Sequence, residues 1–169
     1  MKVAKTVGIL SIIAGVIMAV AGIGTWVMVT SQLKAEAITV PGDSEFMGGA
    51  FAGSEVGGPI TAFAQADTIN QHALAITEGR TYAELGGLVT EAQEAGDDEL
   101  AEQYQNERNT VMNASYLRAS LFTSVVAYGV AALVIGLGVL SVLIGWALTS
   151  IKPTVVADAG RHAEPAPNA

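Results

Sequence analysis

The fold is decided by a long uncharged run near the C-terminus: residues 119–151 read ASLFTSVVAYGVAALVIGLGVLSVLIGWALTSI. A second uncharged run, residues 6–33, lies near the N-terminus between Lys5 and Lys34. About 20 apolar residues in a helix cross the roughly 30 Å hydrocarbon core of a bilayer. Both runs exceed that length, so the sequence predicts two membrane-spanning helices joined by a polar segment.

This pattern divides the chain into five parts. We predict a cytoplasmic N-terminus (1–6), a first transmembrane helix (7–30), an extracytoplasmic acidic helical domain (31–118), a second transmembrane helix (119–150) and a disordered cytoplasmic tail (151–169). Lysine and arginine are more frequent at the chain termini than at the ends of the central segment, which favours cytoplasmic termini. We therefore expect a multi-pass protein of the plasma membrane, with membrane lipids among its partners.

The segment between the spans is strongly acidic. Residues 30–120 contain fourteen Asp and Glu but only four Lys and Arg. A surface with this charge repels nucleic acid, so we exclude nucleic acid as a partner. The chain has no cysteine, which excludes disulfides and thiol catalysis.

A cleaved signal peptide is the alternative interpretation of the N-terminus. Lys2 and Lys5 would form its basic region, and residues 35–37 (AEA) fit a small-x-small cleavage site. The apolar region of a secretory signal is about 7–15 residues long, and the run here is longer. We therefore expect an uncleaved membrane anchor.

Small residues recur at helical spacing in both spans. They form one stripe in the first span and two in the second: Gly8, Gly15 and Gly22; Gly129, Ala132 and Gly136; and Gly138, Ser141 and Gly145. Such stripes let helix backbones approach closely in lipid, although glycine and alanine are also common in transmembrane helices generally. The two stripes of the second span predict two neighbours: the first span, and a second neighbour that the stripe does not identify.

The central segment has helical periodicity of its own. Pro59 suits a first helical turn, and apolar residues then recur every three or four positions, which predicts a helix over residues 59–78. Gly86 and Gly87 weaken the segment that follows, so we expect an interruption there and a short helix over residues 88–95.

A last helix connects this segment to the second span. Asp97 or Asp98 can cap its N-terminus, and no Pro or Gly follows until Gly129. We predict one helix over residues 98–150, with residues 113–115 (NAS) as its weakest point. The predicted fold is an all-α membrane protein: a hairpin of two transmembrane helices with a small helical domain outside, the second helix extending beyond the bilayer.

Several residues between the two spans are candidates for contact with a partner. Residues 42–58 contain six glycines and no clear period, which indicates an ordered loop. Its apolar residues can pack on the chain's own domain, on lipid headgroups or on a partner. The candidates are Phe46, Met47 and Phe51 in this loop, and Glu99 and Glu102 at the start of the last helix.

The sequence does not place the residues needed for redox, hydrolytic or transport chemistry where such a site could form. His72 and His162 are the only histidines, and the predicted topology places them on opposite sides of the membrane. The spans carry no histidine for haem and no ionisable group for ion transport. We therefore expect no catalytic residues, cofactor, metal or small-molecule substrate, and no enzyme activity.

Three strings of sequence resemble a known family. They are TINQHA (68–73), GRTYAEL (79–85) and MNASYLRASLFTSVVAYGVAA (112–132). They resemble small two-span membrane proteins of actinobacteria that often carry the label "aromatic ring-opening dioxygenase". That label implies an iron site, which two histidines on opposite sides of a membrane cannot form.

The resemblance also implies a function. The family is similar to the association factor, a small accessory subunit, of the actinobacterial respiratory supercomplex in which a cytochrome bcc reductase joins an aa3 oxidase. The expected function is thus a non-catalytic accessory subunit, with the cytochrome bcc and aa3 oxidase subunits as partners. The alternative is a stand-alone envelope scaffold or sensor with an independently folded outer domain.

Overall fold

A computed structural model describes residues 2–151 of the 169-residue chain. These residues form four α-helices: α1 (Lys2–Ala35), α2 (Pro59–Ile76), α3 (Tyr82–Glu94) and α4 (Asp98–Ser150). Within this range there is no β-strand, and a short 3₁₀ segment, Phe46–Gly49, lies between α1 and α2. The predicted all-α class is confirmed, whereas residues 152–169 of the predicted tail (151–169) lie outside the described residues.

The longest element is α4, an unbroken helix of 53 residues, which is about 80 Å long at 1.5 Å per residue. Asp97 caps its N-terminus, because its carboxylate accepts a hydrogen bond from the Leu100 N–H at 3.1 Å. The helix passes through residues 113–115 without a break, so the single-helix prediction is confirmed. Two of the helices, α1 and α4, are long and apolar enough to cross a membrane.

The C-terminal half of α4 packs against α1 in the opposite direction. Gly8 of α1 lies against Gly145 of α4, and Gly15 lies against Gly138. As α1 advances by seven residues, its contact on α4 retreats by seven. The pair is therefore antiparallel and keeps one register over at least two helical turns.

The N-terminal half of α4 is covered by α2 and α3. α2 ends at Ile76, two residues before the predicted end, because Glu78 and Gly79 both have positive φ angles, 52° and 80°. The Gly79 N–H donates to the Leu74 carbonyl at 2.7 Å and closes the helix end. Glycine thus acts as the helix stop that its position predicts.

α3 corrects one prediction, because a single helix runs through Gly86 and the glycine after it. At its start, the Glu84 carboxylate accepts a hydrogen bond from the Thr81 N–H at 2.8 Å in a capping box. A Cβ at Gly86 would lie 3.3 Å from Arg108 Nε, so glycine lets this guanidinium lie against α3. The same guanidinium stacks over the Tyr82 ring at 4.1 Å. Contact with α4 keeps the helix intact where local propensity favours a break.

The loop between α1 and α2 folds back on itself and joins the core. Backbone hydrogen bonds pair residues 38–40 with residues 53–56, and Thr68 of α2 donates a buried hydrogen bond to Ser44 at 2.8 Å. One hydrophobic core spans the loop, α2 and both long helices; its buried members are Leu33, Val40, Val56, Ala62, Ala64, Ala66, Leu121 and Tyr128.

Candidate interaction surface

Four of the glycines in the predicted stripes lie in the crossing between α1 and α4. A Cβ added at Gly15 would lie 2.5 Å from the Gly138 carbonyl oxygen, and one added at Gly138 would lie 2.6 Å from the Gly15 carbonyl oxygen. Gly8 and Gly145 approach each other in the same way. The two backbones touch at these positions, so no larger residue fits without moving a helix.

Two more of the predicted residues, Gly22 and Ser141, belong to the same crossing. A Cβ at Gly22 would lie 2.9 Å from the Ala131 carbonyl oxygen. The Ser11 hydroxyl donates a hydrogen bond to the Ser141 carbonyl at 2.8 Å. Ser141 therefore contributes its backbone carbonyl, rather than its side chain, as the acceptor of a hydrogen bond from α1.

The remaining stripe, Gly129, Ala132 and Gly136, faces away from α1. All three residues are exposed, and a Cβ added at Gly129 or Gly136 would meet no described atom within 4 Å. Gly129 and Gly136 follow Phe122 at seven-residue intervals, so they lie on the side of α4 where Phe122 packs on Phe63 of α2. We call these three residues the outer stripe; its packing on another subunit stays a prediction.

Tyr128 connects the helix pair to the loop. Its side chain is 1% exposed, and its hydroxyl shares a hydrogen bond of 2.8 Å with the Thr30 hydroxyl. The same hydroxyl donates to the Gly57 carbonyl at 3.3 Å. The sequence pattern does not single out Tyr128, although a tyrosine in an uncharged run needs a partner for its hydroxyl once buried.

Trp26 and Trp146 mark two levels along the helix pair. Trp26 packs edge-on against Tyr128 with ring centroids 4.7 Å apart, and Trp146 is exposed near the other end of α4. Tyr128 and Trp146 are five helical turns apart, about 27 Å. The outer faces between these levels carry exposed apolar side chains, including Leu10, Ile13, Ile17, Val20, Val130, Leu133, Leu137 and Leu140.

The aromatic candidates of the loop differ in exposure. Phe46 packs on Phe51 and on Phe63 of α2, with ring centroids 6.2 and 5.3 Å apart. Both loop phenylalanines are half-buried against the chain's own core. Met47 is 68% exposed and has a positive φ of 50°. Of the three, Met47 offers the largest free surface, and contact with a partner stays a prediction for all of them.

The acidic candidates, Glu99 and Glu102, line a shallow cavity near the N-terminus of α4. Glu99 and Glu102 are exposed there, and among residues 2–151 neither carboxylate forms an ion pair. Glu107 lies deeper and accepts a hydrogen bond from Arg80 at 3.0 Å. Arg80 also pairs with Glu78, so Glu78 and Glu107 share one cation, whereas Glu99 and Glu102 have none among residues 2–151.

His72 pairs with an acidic side chain of the loop. Its Nε2 lies 2.8 Å from Asp43 Oδ2, and this hydrogen bond lowers the pKa of Asp43 below its ordinary value. In residues 2–151 no three His, Asp or Glu side chains come together in a group that could hold a metal ion. The contact fastens the loop to α2, next to the buried hydrogen bond between Ser44 and Thr68.

Comparisons with models of protein families, with curated proteins and with solved structures found no match. The outer stripe, the exposed apolar faces and the acidic end of α4 are therefore the observations from which a function can be argued. All three are surfaces suited to contact with other molecules.

Proposed function

We propose that the chain crosses the membrane twice, with the hydrocarbon layer between the levels of Trp26 and Trp146. The distance between these levels, about 27 Å, is close to the roughly 30 Å of a hydrocarbon core. Tryptophan favours both interfaces of a membrane. Only 17% of the most apolar window of each long helix is buried, whereas the core helix of a soluble protein is mostly covered. Lipid covers the exposed apolar side chains in this proposal.

This placement accounts for the excess length of the uncharged run in α4. Residues 119–127 stand beyond the hydrocarbon layer on the loop side, where α2 and the loop cover one face of them; Phe122 packs on Phe63 at 5.5 Å. We place residues 31–127 on the extracytoplasmic side and both termini in the cytoplasm, from the distribution of lysine and arginine. α1 is retained as an anchor, because its glycines form half of the crossing.

The biochemical role that we propose is a non-catalytic accessory subunit of a membrane complex. The outer stripe carries this proposal. In the proposed placement it lies at membrane depth, a Cβ added at either of its glycines would meet no described atom within 4 Å, and small residues favour close helix association in lipid. A transmembrane helix of another subunit fits there, directly below α2. By the resemblance of residues 112–132, that complex is the actinobacterial cytochrome bcc–aa3 supercomplex.

The shared core favours this role over a stand-alone envelope scaffold or sensor. The sensor hypothesis requires an outer domain that stays folded when it is excised. Here Val40, Val56 and the alanines of α2 share one core with Leu33 and Tyr128 of the long helices. An excised outer domain would lose part of its core, so the outer and membrane parts act as one unit.

Purification of a tagged chain from its own membranes in mild detergent tests this role. We expect oxidase and reductase subunits to co-purify, and a Gly136→Leu variant to lose them because leucine fills the outer stripe. Gly24→Leu is the matched control, since Gly24 is an exposed glycine of α1 with no described atom near its Cβ position. The role is refuted if no respiratory subunit co-purifies with the unaltered chain. Equal retention by both variants would refute the outer stripe as the contact.

A further inference from the structure

One face of the N-terminal half of α4 is left exposed by α2 and α3. Its residues recur at alternating intervals of three and four, which is the spacing of a coiled-coil contact. They are Asn106, Asn109, Asn113, Tyr116, Ser120 and Thr123. The same spacing continues along the helix through Ala127, Val130, Val134 and Leu137. None of these ten residues is buried, and we call them the seam.

The charged residues of this half of α4 lie on its other side. Past its acidic end, α4 carries three of them: Glu107, Arg108 and Arg118. Glu107 accepts a hydrogen bond from Arg80, and Arg108 lies against α3. Arg118 stacks over Phe122, on the side of α2, 5.8 Å from the ring centroid. A solvated helix face ordinarily carries charge. Here the charges are covered and the exposed face is neutral, although the chain has a net charge of −8.

Three asparagines on the seam have a chemistry that suits contact with an identical residue. Asparagine is a poorer helix former than the Glu, Lys or Gln common on solvated helices. In parallel coiled coils an asparagine at a contact position faces the same residue of the other helix. Its amide both donates and accepts hydrogen bonds, so an identical pair satisfies itself. The seam is therefore complementary to a copy of itself.

Membrane insertion in one orientation makes the α4 helices of any two copies parallel. A two-fold axis along the membrane normal then places equal residue numbers opposite each other. Like charges at these positions would repel, and the seam has none from Asn106 to Leu137. Before Asn106 the same spacing reaches Glu102 and Glu99, whose counterparts repel, so the contact ends there.

The seam is large enough for a dimer and leaves the other contacts of α4 free. It is about 46 Å long. At a helix width of about 10 Å, two copies would bury about 900 Å², close to the roughly 1,000 Å² of a specific interface. Consecutive residues point about 100° apart. Gly136 of the outer stripe, Leu137 of the seam and Gly138 of the α1 crossing therefore face three different neighbours.

A cavity of about 280 Å³ opens beside the seam at the end of α1. Ser120, Thr123 and Ala127 line one wall, and Met28 and Glu36 of α1 lie on the other. In the proposed placement this level is outside the hydrocarbon layer, so acyl chains do not fill the cavity. The small seam residues here let a second α4 approach closely, and protein side chains can occupy the space.

We propose that the chain forms a parallel homodimer in which the α4 helices of two copies pack along the seam. Asn106 and Asn113 of one copy then face the same residues of the other. This inference rests on the proposed membrane insertion, which makes the helices parallel, and is independent of the respiratory partner.

Disulfide cross-linking of single-cysteine variants of the full chain in its own membranes tests the dimer, because the chain has no cysteine. Asn106→Cys and Asn113→Cys should each form a disulfide-linked dimer on oxidation. Ser115→Cys is the matched control, since Ser115 is exposed but lies about 160° around the helix from Asn113. We expect a dimer yield at least about fivefold higher at the two seam positions than at the control, unchanged when the membranes are diluted with added lipid.

A charge on the seam gives a second measurement that needs no cysteine at the same position. Asn113→Glu places two carboxylates opposite each other and should lower the cross-linking of Asn106→Cys about tenfold. Ser115→Glu, on the other face, should leave this yield unchanged. No dimer at either seam position, or equal yields at the seam and at Ser115, would overturn the proposal.

A photoreactive residue identifies the occupant of the seam. Tyr116→benzoylphenylalanine should give an adduct of twice the chain mass in native membranes, and an adduct to another subunit instead would overturn the proposal. Release of the chain from membranes by carbonate would refute the membrane insertion itself. Absence of respiratory subunits from a cross-linked dimer would refute only the proposed role, so the failures are distinguishable.

Discussion

Adding one methyl group at Gly138 measures how much the close crossing of α1 and α4 stabilises the helix pair. In Gly138→Ala the new Cβ would lie 2.6 Å from the Gly15 carbonyl oxygen and 2.8 Å from the Ala19 nitrogen. Both neighbours are backbone atoms and cannot rotate away. Ordinary contact begins near 3.4 Å, so α1 must move outward by about 0.8 Å.

The cost of this movement has two parts. A gap of about 0.5–1 Å forfeits a quarter to a half of each van der Waals contact along the crossing. The hydrogen bond from Ser11 to the Ser141 carbonyl, now 2.8 Å, would lengthen to about 3.6 Å and be lost. An interhelical hydrogen bond in a membrane contributes about 0.6 kcal/mol and overpacking costs about 1–3 kcal/mol. We expect a total near 2 kcal/mol, roughly 30-fold in the unfolding equilibrium.

The matched control is Gly136→Ala in the same helix. Both changes gain the higher helix propensity of alanine, about 1 kcal/mol in water, so this contribution cancels in the comparison. The assay is unfolding by SDS in mixed micelles, followed by Trp26 fluorescence in a Trp146→Phe background. Gly138→Ala should unfold at a lower SDS fraction than Gly136→Ala. Equal midpoints for the two variants would refute the close crossing.

Three further predictions concern Tyr128, the N-cap of α4 and the loop between α1 and α2. Tyr128→Phe removes the hydroxyl that bonds Thr30 and should lower the free energy of unfolding by about 1–2 kcal/mol in the same assay; an unchanged midpoint would contradict it. Asp97→Ala removes the N-cap of α4 and should cost about 1 kcal/mol, seen as faster hydrogen exchange confined to the first turn. The hydrogen bond from His72 lowers the pKa of Asp43 in the folded chain. This hydrogen bond therefore stabilises the fold fully above the unfolded pKa of Asp43, about 4, and the stabilisation is lost as pH falls from there through the lower folded pKa. Proteolysis of residues 41–54 should accelerate below about pH 4 in the natural chain, and Asp43→Asn should remove this pH dependence.

The long elements follow from the sequence because their causes are local. Residues 98–128 contain no Pro or Gly and Asp97 supplies a cap, which predicts the first part of α4; the uncharged apolar run 119–151 predicts the rest. Gly79 similarly marks the end of α2, which stops at Ile76, two residues before the predicted end. These features depend on the backbone preferences of individual residues and on an apolar composition that suits lipid. Both can be read from the sequence without knowing the tertiary contacts.

The remaining features depend on contacts between distant parts of the chain. α3 continues through its glycines because the Arg108 guanidinium lies against Gly86 and over Tyr82. The path of the loop depends on the hydrogen bond that Thr68 donates to Ser44. No periodic pattern in the sequence predicts this contact. The glycine stripes are visible in the sequence, but only the structure separates the stripe that meets α1 from the outer stripe. Small residues at one spacing look alike until their neighbours are known.

The unbroken course of α4 makes it a lever. The part of α4 from Asp98 to Tyr128 is about 45 Å long, and the helix is unbroken over this length. A tilt of about 10° of the half that packs on α1 would therefore move the acidic end by roughly 8 Å, and a pull on that end would rotate the half that packs on α1 by the same angle. A molecule bound at one end of this helix and a molecule bound at the other are mechanically connected through a single rigid element.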